Sequence, residues 1–211
     1  MEVIFRDDDV FLNEPWFEDF LKIFLDNEIP ITLAVVPSRI TKKCYAIIKK
    51  YLDTGLIEVI QHNFSHMAYE PYSEFPNSRP KLAVRQDLEL GKKKLEKIFK
   101  KHYTNILAPA WHQITKEHYE NIKDLYDGIT ARPSPLNEGV KINFPVTYSV
   151  ATTKEFRTAE QIISGFKEGL NIILMHHFYY ERDLKQIKKL RKVVKYLKDN
   201  KIKVTKYNEK I

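Results

Sequence analysis

The sequence is poor in the features that mark secreted, covalently braced or membrane-spanning chains. It holds a single cysteine, Cys44, so no disulfide can form within the chain. Cys44 reads as a packing residue on a helix. No run of eighteen or more apolar residues occurs, which excludes a helical membrane span. The first six residues are a charged, strand-like stretch, not a basic region followed by an apolar one, so no secretory signal is visible and a cytoplasmic location is expected. Glycine is scarce, at six residues, and none of it forms a phosphate-cradling loop, which weakens a dinucleotide-binding reading. There is no internal repeat, low-complexity tract or evident linker, so residues 1–211 are expected to form one domain.

Acidic residues are outnumbered, 28 against 35 lysines and arginines, leaving a formal charge of +7. Such an excess raises the question of a nucleic-acid or anionic-glycan partner. The excess is concentrated at 185–203, however, where Leu184, Ile187, Leu190, Val193, Val194 and Leu197 form a helical apolar stripe among lysines. A solvated outer helix explains it, and no nucleic-acid or membrane partner is expected.

What the chain does have is a regular alternation of strand and helix signals. Apolar runs at 2–6, 31–36, 57–60, 105–108, 128–131, 144–150, 171–175 and 202–207 read as strands. Between them lie helical patterns: one opened by Asn13 and Pro15, then 38–52, 82–101, one capped by Thr115, one with a Thr158/Gln161 capping box, and the basic helix. This order implies a parallel sheet covered by helices. So many units in about 210 residues favour a small or incomplete (β/α) barrel of about seven parallel strands.

The chemistry-bearing residues cluster just after strand ends. His62 and His66 follow the third strand; on one turn of helix their rings would share a face and could bite one divalent metal, with zinc, nickel and cobalt all accepting imidazole. A third ligand is expected from Asp7, Asp8 and Asp9, since three adjacent carboxylates are tolerable with a cation among them. Trp111 with His112 and His176 with His177 also follow strands. In a parallel barrel all four clusters fall on one face, where such folds carry their sites. The long loop at 67–80 bears Tyr69, Tyr72 and Phe75. With Phe178, Tyr179 and Tyr180, its two tyrosines could rim a pocket. His102, His112 and His118 read as surface or helix positions.

In this order the residues resemble the polysaccharide deacetylase (NodB-homology) family of carbohydrate esterases, in particular a divergent branch with an Arg-x-Asp-Asp start. Asp8 and Asp9 match its paired aspartates. His62 and His66 match its His-x-x-x-His motif, Pro109 and Trp111 loosely match its proline–aromatic motif, and Leu174-Met175-His176 matches its last motif. The resemblance implies a metal-dependent hydrolase removing acetyl from the nitrogen or oxygen of an acetylated sugar or glycan. Asp9, His62 and His66 would bind one divalent ion, zinc by preference, with cobalt or nickel possible. Asp8 would be the general base and His176 the general acid, with His177 in support. Trp111 would contribute to a sugar site, and a backbone N–H beside it to the oxyanion.

Two positions and one motif depart from the family pattern. Val10 stands where a glycine is expected after the aspartates. Ala108 stands where an arginine would orient the base, so Arg6 or Arg79 is expected to supply that charge. The aspartate–tryptophan pair that tunes the acid histidine is not recognisable. Two other readings therefore stay open: a non-catalytic glycan- or metal-binding relative, and a metal-dependent amidase of small amides or cyclic imides.

Overall fold

Short, uninterrupted apolar runs become strands buried on both faces, as a parallel sheet covered by helices requires. In the computed structural model, which describes residues 1–11, 15–71, 73–150, 156–180 and 184–211, β2 (Ile31–Val35) and β3 (Ile57–Gln61) are buried at every position. With β1 (Glu2–Val10), β4 (Tyr103–Leu107), β5 (Gly128–Ala131), β6 (Phe144–Pro145), β7 (Tyr148–Ser149) and β8 (Leu170–Met175) they form one curled sheet. Its order is β6-β5-β4-β3-β2-β1-β8-β7. The two-residue β9 (Lys203–Val204) also pairs with β1. Every pairing between these strands is parallel. The architecture is an incomplete (β/α) barrel, as the strand–helix alternation implies.

The helices lie outside. α1 (Phe17–Leu25) buries Phe17, Phe20, Leu21 and Phe24. α6 (Leu184–Asp199) buries Leu190, Val193, Val194 and Leu197 and leaves its lysines mostly in solvent. Both join one large layer with Val3, Phe5 and Val10 of β1. α2 (Lys42–Tyr51) begins later than the sequence suggests because Thr41 Oγ1 accepts the Cys44 N–H at 3.1 Å and stops it there. Cys44 is buried on that helix. α3 (Lys81–Phe99), α4 (Lys116–Ile122) and α5 (Ala159–Ser164) complete the shell. Thr115 and the Thr158/Gln161 box cap the last two as expected. Asn13 lies outside the described residues, and α1 shows no side-chain cap at Trp16.

Two expected strands resolve differently. The run at 144–150 splits into β6 and β7, which join opposite edges of the sheet. Between them Val146 N–H donates to Ala131 O and Thr147 N–H to Ile172 O, so the chain crosses the barrel's open seam here. The run at 202–207 is cut to two residues. Buried Glu58 accepts the N–H groups of Tyr207 (3.0 Å) and Asn208 (2.8 Å), turning the chain inward. Tyr207 then plugs the interior, fully buried beside Ile4, Ile60, Ile106 and Phe144.

Strand alternation decides what faces this interior. Ile4 points in, while Val3 and Phe5 point to the helices. Arg6 and Asp8 follow the inward parity, and Asp7 the outward one. The register between β1 and β2 then shifts between Asp7 and Val10. That irregularity sits among the three aspartates at the sheet's C-terminal edge and re-aims their side chains.

Candidate active site

Asp9, His62 and His66 converge from two strand ends, each offering a ligand atom within 4.8 Å of the others. Asp9 leaves β1 in the left-handed region, at φ 61°. His62 is locked where β3 ends: its N–H donates to Val35 O, and its Nδ1–H donates to Ala108 O at 2.7 Å. His66 is not brought round by a helical turn, as the sequence spacing suggested. No helix forms over 62–68; left-handed backbone at Asn63 (φ 49°) and His66 (φ 53°) folds the loop back. The Glu74 carboxylate secures it, accepting Ser65 N–H, Ser65 Oγ–H and His66 N–H at 2.8 to 2.9 Å.

His62 Nε2 lies 3.1 Å, and His66 Nε2 2.8 Å, from the same Asp9 oxygen, Oδ1. With Nδ1–H donated to a carbonyl, a neutral His62 presents a lone pair to that oxygen. Two acceptors this close need a proton or a cation between them. Burial pushes the Asp9 carboxyl up, but hydrogen bonds from both imidazoles outweigh it and hold the group well below the usual carboxylate range. Burial likewise opposes charge on His62, yet Asp8 and Asp9 leave its pKa raised. A site that favours one carboxylate, one carbonyl-oriented imidazole and shared positive charge has the donor set and outer support of a divalent-metal centre.

Asp8 points inward beside the triad and is held by Arg6. Arg6 Nη2 donates to Asp8 Oδ2 at 2.8 Å, and Nε lies 2.8 Å from Oδ1. Arg6 Nη1 donates to Thr130 O (3.0 Å) and Thr130 Oγ1 (2.7 Å), and that hydroxyl bonds Tyr207 OH at 2.9 Å. The barrel plug therefore fixes the guanidinium that fixes the carboxylate. Burial pushes Asp8 up, but the Arg6 charge, with His62 and His176, brings it below its ordinary value. Arg79 does not reach this pair. It is salt-bridged to Asp87, donates to Glu74 O and stacks on exposed Tyr69.

His176 follows β8, with Nε2 3.8 Å from Asp9 Oδ2. Burial lowers its pKa more than Asp8, Asp9 and Asp7 raise it. Its buried Nδ1 has no hydrogen-bond partner among the described residues. His177 points the other way. Its N–H and Nδ1–H donate to the two Asp7 oxygens at 2.7 and 2.8 Å, with Phe17 against its ring. That outward-facing pair ties the 176–177 turn to β1.

Pro109 opens the turn after β4, and Trp111 (φ 51°) stacks on His66 at 4.4 Å between ring centroids. Phe178 and Tyr179 each lie 5.4 Å from the His176 ring. Tyr72 and the Tyr180 side chain lie outside the described residues. Among the described residues, five of the eight non-glycine positions with positive φ are Asp9, Asn63, His66, Trp111 and His112. Backbone strain is thus concentrated at this edge, as functional sites tend to show.

Sequence reasoning passed over Glu74 and gave His112 no role in the site. Glu74 carries no signal in a loop beyond being an acid near the histidines. His112 reads as a surface position, but burial and the Arg6 charge press its pKa down to about 3. His118, on α4, is buried, bonding Pro76 O at 3.0 Å, whereas His112 is half-buried. Cys44 is inert: burial pushes its thiol up to about 12.

An incomplete parallel barrel with an Asp-His-His cluster and a buried Asp–Arg pair at its C-terminal edge defines an α/β protein with a hydrolase-like, metal-capable centre. The chain belongs to the polysaccharide deacetylase family, whose model matches residues 3–125. Its fold is similar to the Xyl-CE4 domain of a multidomain xylanase from the Trinervitermes trinervoides hindgut metagenome. That match has TM-score 0.71 and 14% identity, covering 99% of this chain and 88% of that one. It is similar as well to a family 4 acetyl xylan esterase from Clostridium thermocellum in complex with a cobalt ion (0.70, 18%, 99% and 89%). The peptidoglycan deacetylase PdaC from Bacillus subtilis is a third (0.66, 15%, 98% and 88%). Among curated proteins nothing matches the chain. No described helix is long and apolar enough to cross a membrane.

Proposed function

We propose that this chain is a metal-dependent deacetylase that removes an acetyl group from an acetylated sugar or glycan, with residues 1–211 acting as one catalytic domain. Family membership supports deacetylation. The observation that carries the metal dependence is the convergence of His62 Nε2 and His66 Nε2 on one Asp9 oxygen, with the His62 tautomer set from behind by Ala108. Asp9, His62 and His66 are the proposed ligands, and zinc, cobalt or nickel suits them. When bound, such an ion would polarise the acyl carbonyl.

The remaining work belongs to side chains. Asp8, kept ionised by Arg6, accepts the proton of the attacking water. Its carboxylate retains lone pairs beyond those met by the guanidinium. Arg6 takes the orienting role for which Ala108 has no charge, and Arg79 supports the Glu74 loop instead. His176, at the end of the neighbouring strand β8, donates a proton to the departing nitrogen or oxygen. A lowered pKa makes its protonated form the stronger acid. Trp111 offers an aromatic face beside His66 for a sugar ring, and the backbone there an oxyanion donor. Asp7 and His177 brace the turn that presents His176.

The test is a calorimetric titration of chelator-stripped protein with zinc, alongside His66→Ala, followed by assay of acetate release from acetylated sugars. One-to-one binding lost in His66→Ala, with turnover abolished by Asp8→Asn while zinc binding persists, is expected. Zinc binding indifferent to His66 would sink the metal reading. An intact site with no turnover of any acetylated sugar would favour a binding-only relative.

A further inference from the structure

Tyr207 brings one polar atom into an apolar interior. Its ring meets Phe144 edge-on at 5.1 Å and clusters with Ile4, Ile60 and Ile106. A phenylalanine would fill that space as well, and a buried hydroxyl costs free energy unless it is hydrogen-bonded. The backbone of the plug does not depend on it. Glu58 accepts the N–H groups of Tyr207 and Asn208, and Thr32 Oγ1–H (2.6 Å) and Thr104 Oγ1–H (2.8 Å) hold that carboxylate from the sheet. The Tyr207 hydroxyl serves another group: it lies 2.9 Å from Thr130 Oγ1, and either hydroxyl can donate.

From Thr130 the contacts run on to Asp8. Arg6 Nη1 donates to Thr130 Oγ1 at 2.7 Å and to Thr130 O at 3.0 Å. Arg6 Nη2 donates to Asp8 Oδ2 at 2.8 Å, with Nε 2.8 Å from Oδ1. Guanidinium and carboxylate are both planar, and two planar groups paired along their edges turn together. The orientation of the Asp8 oxygens therefore follows the orientation of the Arg6 fork. At its far end the fork rests on a carbonyl set by β5 and on a hydroxyl set by Tyr207. All four residues are buried, so bulk solvent does not compete for these bonds. Thr130 and Tyr207 both lie beyond residues 3–125, the part of the chain that the family model matches.

We propose that Tyr207, acting through Thr130 and Arg6, is a positioning residue for the Asp8 carboxylate, so that turnover depends on a hydroxyl in the C-terminal plug. The role of Asp8 rests on the deacetylase reading, but the state of the Arg6 fork is measurable without turnover.

The experiment compares the zinc-loaded full chain with Tyr207→Phe, Thr130→Val and Thr130→Ser. Acetate release is assayed on N-acetylglucosamine oligomers and acetylated xylo-oligosaccharides, and zinc affinity is measured by calorimetry. Solvent exchange of the Arg6 guanidinium N–H signals, assigned by their loss in Arg6→Lys, is followed by NMR. Tyr207→Phe should lower kcat about tenfold, with KM and zinc affinity unchanged, and should speed exchange at Arg6. Thr130→Val should do the same, while Thr130→Ser, which keeps the hydroxyl, should restore most of the rate. In the double variant Tyr207→Phe/Thr130→Val the two losses should combine less than multiplicatively, because both act on one guanidinium. Val193→Ala, in the layer beneath α6, should lose stability but keep the native kcat. Should Tyr207→Phe fail to fold, Thr130→Val, which cuts the same chain of bonds, decides. A native kcat in Tyr207→Phe, fully multiplicative losses, a rate loss matched by lost zinc affinity, or an equal rate loss in Val193→Ala would overturn the proposal. No acetate release by the native protein, with exchange at Arg6 still faster in Tyr207→Phe, would overturn the deacetylase reading and leave the link from Tyr207 to Arg6 standing. Equal acetate release by the native protein and Tyr207→Phe would do the reverse.

Discussion

Replacing Arg6 with methionine removes one half of a buried ion pair at the centre of the barrel. Arg6 is fully buried and Asp8 is 3% exposed. The guanidinium meets both Asp8 oxygens at 2.8 Å and also donates to Thr130 O and Oγ1. Removing one partner of a buried pair costs about 3–5 kcal/mol, because the other charge is left uncompensated. The orphaned Thr130 carbonyl adds about 1 kcal/mol. Urea denaturation at pH 8 should therefore show a loss of about 4–6 kcal/mol, a large part of a domain's stability. The pH dependence separates this cause from simple loss of packing. In the native protein the folded pKa of Asp8 is depressed. Its contribution to stability is present above the unfolded aspartate value and lost as pH falls through the folded one. In Arg6→Met the buried carboxylate has lost its counter-charge, so its folded pKa lies above the unfolded value and protonation favours the fold. The penalty should then shrink between pH 8 and pH 5. Arg6→Lys, which keeps the charge but not the fork, should fall between native and Met. A penalty below about 1 kcal/mol, or one that does not change with pH, would refute the reasoning.

Two further outcomes are expected. His112 is neutral in the fold down to about pH 3, while the unfolded chain takes up its proton from about pH 6.5. Stability should therefore fall below that pH, by about 2 kcal/mol at pH 5, and His112→Asn should flatten that part of the urea-derived stability profile; an unchanged slope would place the imidazole in solvent. Gly91→Ala on α3 puts a Cβ 2.5 Å from Gln61 Nε2 and 2.9 Å from Pro37 Cγ. Gln61 Nε2 also bonds Asn63 O and Leu88 O, so overpacking should cost about 1–3 kcal/mol and weaken zinc binding by loosening the turn after His62. A thermal melt unchanged from the native protein would show that the helix shifts freely.

The arginine that holds Asp8 illustrates how far local pattern reaches. Arg6 and Asp8 are two apart on a strand, and a period of two puts them on one face. From the sequence Arg6 and Arg79 stood level, each offered only because Ala108 leaves the orienting charge unsupplied. Only the long-range bonds from Arg6 to Thr130, and the salt bridge of Arg79 to Asp87, decide between them. Likewise the His62/His66 spacing announced a shared ligand site through a helical turn that does not exist. The rings meet because Glu74 and left-handed backbone at Asn63 and His66 fold the loop back.

By itself the sequence determined the strand and helix order, the helix stripes and caps, the parallel barrel and the clustering of Asp8, Asp9, His62, His66 and His176 at its C-terminal edge. These follow from periodicity and turn chemistry, which act over a few residues, and from the handed geometry that puts parallel strand ends on one side. Tertiary structure alone decided the seam crossed at 146–147, the Tyr207 plug captured by Glu58 and the half-burial of His112 near Arg6. Each of these depends on groups dozens of residues apart satisfying one another's hydrogen bonds or charge, and such pairings exist only once the sheet has curled.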